Sequence, residues 1–178
     1  MVGVSTSWKL TPAETPKQAD SAFEILPPKQ LLTPRRMDLA VKWRYFRHLS
    51  GGSDPEAEGV YCWHIIERVG SRMKNGLPTD AWKVTISDYI RAAQALHSSM
   101  QSNGYDSRQP IPLDMNGELF GGAHRVACAL ALNLPFVSVL RMNKQVWAPP
   151  WNEAWFEDHG MSQKELKRLR DDWELMRW

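Results

Sequence analysis

Two short stretches of this chain combine residue types and spacings that can do chemistry. The first is Phe120-Gly121-Gly122-Ala123-His124-Arg125, which leads into the apolar run from Val126 to Leu132. A helix that starts directly after two glycines leaves several backbone N–H groups unpaired, with the positive end of the helix dipole behind them. Gly121 and Gly122 permit both a tight turn and the close approach of an oxyanion, and Ala123, His124 and Arg125 supply further donors from the first helical turn. Two cations at that end oppose the dipole by roughly 0.3–1 kcal/mol each, so stability alone does not favour them there. The pattern predicts an anion cradle. A plain glycine turn with an exposed arginine and a packed histidine is the alternative, because two glycines are a weak motif.

The second stretch is Pro34-Arg35-Arg36-Met37-Asp38-Leu39-Ala40-Val41-Lys42. Spacings of three and four residues predict that Arg35, Asp38 and Lys42 share one face of a helix. Phosphoryl transfer needs this mixture: cations such as Lys42 and Arg36 neutralise charge on the transferred group, and a carboxylate such as Asp38 takes the acceptor's proton. The competing reading is a surface ion-pair ladder worth roughly 0.2–0.5 kcal/mol per pair. Other candidates are weaker. Asp114 precedes the Asn116-Gly117 turn and is either a turn former or a magnesium ligand or base. Asp106, within Tyr105-Asp106-Ser107-Arg108, either lines an acceptor pocket or belongs to a solvated loop. Glu24 is a second candidate base. His48, His64, His97 and His159 have no metal or triad spacing and read as structural or surface residues.

The elements that must position these groups follow from hydrophobic period and caps. Ala22 to Leu26 before Pro27-Pro28 suits an edge or first strand. Thr33 as N-cap and Pro34 at the first helical position predict a helix ending at Ser50-Gly51-Gly52. Tyr61, Ile65, Val69 and Met73 predict another over Val60 to Met73, closed by a turn at Asn75-Gly76 and Pro78. Ser87-Asp88 opens a third, terminated at Asn103-Gly104. Pro110 to Leu113 and Glu118 to Phe120 flank Asn116-Gly117 as a hairpin. A helix from about His124 to Leu132 and a strand from Phe136 to Leu140 complete the pattern, and Ser162 with Glu165 forms a capping box for a charged C-terminal helix.

The chain has 178 residues, 43% hydrophobic and 24% charged, enough for one domain with its own core. Its division reads as a flexible leader over 1–19, a domain over 20–145 with a helical insertion over 53–104, and a Trp-rich extension over 146–178. That extension is expected to latch onto the domain through Leu166, Leu169 and Trp173, because such a helix is marginal alone. Nine tryptophans stand out, Trp147, Trp151, Trp155 and Trp173 among them; buried anchoring is their commoner use, and a platform for a sugar or base is the other. A net charge of +2 argues against a global attraction to nucleic acid or anionic membranes. No apolar stretch nears the roughly 20 residues that cross a bilayer, and no signal peptide is visible, so the cytoplasm is the expected compartment. Cys62 and Cys128 give no zinc or disulfide spacing and read as reduced, structural residues.

Ile111-Pro112-Leu113-Asp114, Gly117 to Leu130 and the strand from Phe136 to Leu140 together resemble the nucleotide-binding core of the ParB/sulfiredoxin superfamily. The string Phe-Gly-Gly-x-His-Arg is nearest to sulfiredoxin, and Gly122 to Arg125 also fits the Gly-x-x-Arg frame of the ParB group. The resemblance implies an α/β (α+β) fold, a small mixed sheet with surrounding helices and a C-terminal helical extension, in which Gly122, His124 and Arg125 grip the phosphates of ATP, ADP or CTP. Sulfiredoxins place a catalytic cysteine where this chain has Ala123, and Cys128 sits in an apolar stretch, so sulfiredoxin chemistry is not expected. No helix-turn-helix or basic tract supports a DNA-partition role. The branch that remains is similar to kinases of small hydroxyl compounds, free serine among them. It implies a magnesium-dependent kinase of a sugar, polyol or serine-like metabolite, with a CTP- or ATP-binding switch module as runner-up. An Arg-x-Asp-Leu-Ala-x-Lys helix with a Trp-Phe tail is also similar to chains that occur with cell-surface polysaccharide biosynthesis. Oligomeric state and acceptor identity are not readable from the sequence.

Overall fold

The structure, a computed structural model, describes residues 22–74, 83–145 and 150–178. The leader over 1–19, the turn at Asn75-Gly76 and Pro78, and Trp147 lie outside the described residues. The described residues form a mixed α+β fold with six α-helices and a three-stranded sheet. Strand β1 (Ala22–Leu26) runs antiparallel to β3 (Val137–Arg141), and β2 (Ile111–Leu113) runs parallel to β3 on its other side. The order β1-β3-β2 puts β1 at an edge, where the proline pair after Leu26 costs no ladder bonds. Val137, Val139, Ile111 and Leu113 turn one sheet face into the core.

Helix α1 (Asp38–Leu49) is central: every residue from Asp38 to Phe46 is buried. It packs against α2 (Ala57–Lys74), α3 (Ile86–Asn103), α4 (Ala123–Ala131) and α6 (Gln163–Arg177). A helix covered on all sides must pair any charge it carries. Arg44 does so with Asp54 at 2.7 Å and Glu165 at 2.6 Å, and Arg168 joins Asp54 at 2.7 Å, which ties α6 to α1. Leu166, Leu169, Trp173 and Met176 of α6 lie in the same core as α1. Helix α5 (Glu153–Asp158), capped by the Asn152 side chain, buries Phe156 beneath them.

Four local expectations change. Helix α1 begins at Asp38 rather than after Thr33, because the Thr33 hydroxyl donates to Glu118 at 3.2 Å and residues 33–37 form turns, one closed by Arg36 N–H to the Thr33 carbonyl. The start of α3 is capped by Thr85, two residues earlier than expected, with Asp88 returning the bond in a complete capping box. At α6 the box is half-formed: Ser162 accepts from Glu165 N–H, but the Glu165 carboxylate is taken by Arg44. The hairpin shrinks to one bridge, Leu113 to Leu119, around a tight turn in which Asp114 N–H donates to the Glu118 carbonyl at 2.9 Å and Gly117 takes φ 81°. No helix of the described residues is long and apolar enough to cross a membrane.

Candidate functional site

The short return after β2 is what places the glycine turn. Phe120 N–H donates to the Pro112 carbonyl, so Gly121 and Gly122 pass directly over β2 before α4 begins. Gly122 is the N-cap of α4 with φ 75°, a left-handed conformation, and a Cβ there would stand 3.3 Å from the Ile111 side chain and 3.1 Å from Arg125 Nη2. The left-handed backbone favours glycine, and a side chain there would also have to push Ile111 aside. The first backbone bond of α4 is Val126 N–H to the Gly122 carbonyl, and the N–H groups of Gly121, Gly122, Ala123, His124 and Arg125 donate to no acceptor among the described residues. Five successive donors therefore sit at the positive end of a helix.

Four of these residues, Gly122 to Arg125, line a cavity of about 340 Å³. The first turn of α4, Gly122 to Arg125, forms one wall, and Tyr89, Ala93 and Leu96 of α3 with Lys83 form the other. A larger cavity of about 520 Å³ lies at the opposite end of the same helix, beside Leu130, Ala131 and Asn133 and the C-terminus of α1. The C-terminal, negative ends of α1 and α4 meet there beside the Arg47 side chain, so that cavity has no helix N-terminus to offer an anion. Arg125 is anchored at the rim of the smaller cavity, donating to the Gln109 carbonyl and, at 3.1 Å, to the Pro110 carbonyl. His124 Nε2 lies 3.0 Å from the Tyr61 hydroxyl. Burial, then Lys42, Arg68 and Lys83, hold the His124 imidazole well below its ordinary pKa, so it faces the cavity uncharged at neutral pH. Cys128 follows in the buried part of α4 with its thiol pushed up to about 12 by burial, which leaves no thiolate to react.

The charges on α1 form a different kind of site. Arg36 donates twice to Asp38, at 2.8 and 3.0 Å, and Lys42 Nζ reaches the same carboxylate at 2.6 Å. Asp38 is 1% exposed and Lys42 0%. Burial pushes the Asp38 carboxyl up, but Lys42 and then Arg36 override it and hold it well below the usual range. Burial brings Lys42 down to about 8 against the pull of Asp38. Arg36 also donates to the Leu119 carbonyl at 2.8 Å and lies 4.8 Å from the Trp151 ring centroid. The three expected residues are thus brought together, but with Arg36 in place of Arg35 on the shared face. Helical spacing does not run from 35 to 38 when the helix starts at 38, and Arg35 is exposed.

The remaining candidates are occupied by the protein itself. Asp114 is 2% exposed and its Oδ1 accepts from Asn116 and Glu118 N–H at 2.8 and 3.0 Å, the role of a turn former. Asp106 pairs with Arg108 at 2.9 Å on an exposed loop, and Glu24 pairs with Arg141 at 3.0 Å. Among the described residues no three metal-ligating side chains gather.

Tyr61, His64, Arg68, Lys83 and Tyr89 were not singled out for the site by sequence. Three of them repeat at helical spacing on α2, beside the apolar row of Tyr61 and Ile65. His64 and Arg68 on a core-facing helix face are the signal that reveals them. No family model, curated protein or solved structure matches this chain.

Proposed function

We propose that the chain binds the phosphates of a nucleotide at the Gly121 to Arg125 turn and transfers a phosphoryl group to a hydroxyl of a small metabolite. The observation that carries the binding step is the set of five amides without acceptors among the described residues at the head of α4, four of them on residues that line a cavity together with Lys83. Such donors favour an oxyanion in proportion to how little rearrangement they need. The apolar wall of Ala93 and Leu96 beside the Tyr89 ring suits the base or sugar of the same ligand. The sequence resemblance to nucleotide-binding cores with this turn, and the ParB-like fold it implies, support the assignment.

In this reading a different residue from Asp38 serves the acceptor. Asp38 accepts from Arg36 and Lys42 and has no exposed oxygen with which to meet a hydroxyl. His124 lines the cavity uncharged; with the Tyr61 hydroxyl donating to the Tyr89 carbonyl, His124 Nε2–H donates to Tyr61 and Nδ1 keeps the lone pair for the acceptor's proton. Arg36, Asp38 and Lys42 then fix α1 behind the site and act only through it. Asp114, Asp106 and Glu24 are engaged within the protein, so magnesium would arrive on the nucleotide's own phosphates and supply charge neutralisation there.

The closed state of Asp38 also favours a second reading, a nucleotide-binding switch that performs no transfer. Calorimetry with ATP, ADP and CTP in magnesium buffer tests the common step: binding of at least one is expected, and failure of all three removes both readings. Incubation with nucleotide labelled in its terminal phosphate and a panel of hydroxyl metabolites separates them. Labelled product, lost in His124→Gln with binding retained, supports transfer. Binding without product in any pairing supports the switch.

A further inference from the structure

The inner face of α2 meets the nucleotide site through Tyr61, and it also carries the two buried side-chain nitrogens that lack a partner among the described residues, His64 Nδ1 and Arg68 Nε. Their protonation follows from their neighbours. The Lys42 ammonium meets the Asp38 carboxylate at 2.6 Å, the Asp38 carbonyl at 3.3 Å and His64 Nε2 at 3.2 Å, which uses its three hydrogens. An ammonium only donates, so His64 Nε2 accepts and the single proton of the neutral ring sits on Nδ1. Arg68 Nε–H also only donates. Both stranded groups are therefore donors, four residues apart and on one side of α2.

Their surroundings select the acceptor. Among the described residues no carboxylate lies within ion-pair distance of Arg68, and Asp38 is committed to Arg36 and Lys42. The Arg68 guanidinium carbon is 5.9 Å from the ring centroids of both Tyr89 and Trp151. The His64 ring is packed by Trp155 at 5.5 Å and Phe156 at 5.4 Å. Two donors and an uncompensated cation between aromatic walls favour a negatively charged acceptor, since low polarity strengthens each charge-assisted bond. Arg68 is half-buried as a residue although its Nε is covered.

We propose that His64 and Arg68 form a second, interior site for a small oxyanion, carboxylate or phosphate, between α2 and residues 151–156. Lys42 does not touch the anion; it fixes the tautomer that points a proton at it. The inference stands independently of the nucleotide reading.

The test is a nitrogen NMR titration of the ¹⁵N-labelled full chain with sodium phosphate and, separately, sodium acetate, each against chloride at equal ionic strength. Saturable shifts of His64 Nδ1 and Arg68 Nε are expected, with Arg68→Gln weakening the His64 response about 10-fold or more. A response to phosphate alone assigns the site to phosphate; a response to acetate assigns it to carboxylates. If neither anion moves either nitrogen beyond the chloride control, the donors are served by water only and the inference is overturned. The wild-type titration decides this even if Arg68→Gln fails to fold. The Gly121 to Arg125 amides are read in the same spectra. Their movement without that of the interior nitrogens overturns this inference and spares the nucleotide reading, and the reverse pattern does the opposite.

Discussion

The glycine turn and the Asp38 cluster lie in the same interior and have opposite chemical states. The turn carries no anion and no buried ion pair, yet it presents five donors with nothing to donate to. The Asp38 cluster holds two cations and a carboxylate within 2.6–3.0 Å, yet every hydrogen of Lys42 is used and the carboxylate is covered. Density of charge is thus a poor guide to reactivity in this molecule. Unmet hydrogen-bonding capacity facing a cavity is the better one, because a group already satisfied gains little from a ligand while an unsatisfied one gains a full bond.

The comparison is broken most directly at Asp38. Asp38→Ala leaves Arg36 and Lys42 as buried cations without a counter-ion, and removal of one partner from such a cluster costs about 3–5 kcal/mol. For a chain of this size that corresponds to a drop in Tm of roughly 6–20 °C. Thermal and urea unfolding check this, and Asp38→Asn is expected to lose less because it keeps the shape and part of the hydrogen bonding. A stable Asp38→Asn protein that binds nucleotide normally but transfers nothing would return Asp38 to the reacting centre and erase the contrast drawn between the two regions.

What the sequence makes legible follows from how local each signal is. The stop of α3 at Asn103-Gly104, the run of α4 and the strand after Asn133 rest on caps and period within a few residues, and they stand in the structure with small shifts. The glycine turn was legible for the same reason. Long-range competition set the rest. Thr33 is a good cap by type but is drawn off by Glu118, 85 residues away, and Glu165 by Arg44, 121 residues away. Whether Asp38 was a surface ladder or a reacting group depended on whether α1 is covered on every side, which no window of its own residues reveals. His64 lacked a partner at any regular spacing because its partner, Lys42, lies on a different helix.

The second expected effect is on pH. Burial, reinforced by Lys42, holds His64 and His124 well below the ordinary 6.5, so below that value the unfolded chain takes up protons that the folded chain refuses. Stability present at pH 7 is therefore lost as the pH falls, by up to about 1.4 kcal/mol per pH unit for each histidine held neutral. Urea midpoints at pH 7, 6 and 5 should fall steadily, and His124→Gln should flatten that fall by its own share. On the alkaline side Lys42 acts in the same direction at higher pH. Its folded value of about 8 lies under the ordinary 10.5, so stability rises between those two values as the folded state sheds a buried charge first. A flat acid limb would mean that the histidines are solvated, and that the interior is more open than the Asp38 cluster implies.

The smallest expected change in stability is also the one that discriminates best between regions. Gly122→Ala forces a side chain into φ 75°, against Ile111 at 3.3 Å, at a cost of about 1–2 kcal/mol. That is less than the loss expected from Asp38→Ala, because a Cβ at the head of α4 can be met by a small shift of the turn, whereas a stranded cation cannot be met by anything nearby. The same shift, however, moves the amides of Gly122 and Ala123 in the cavity wall. Nucleotide affinity measured by calorimetry should then drop about 10-fold or more while the fold persists. Asp38→Asn should show the reverse pairing, a larger change in stability with a smaller change in affinity. If Gly122→Ala binds nucleotide as well as the parent chain, the open donors are not the binding groups, and a difference in hydrogen-bond satisfaction no longer separates a working region from a structural one.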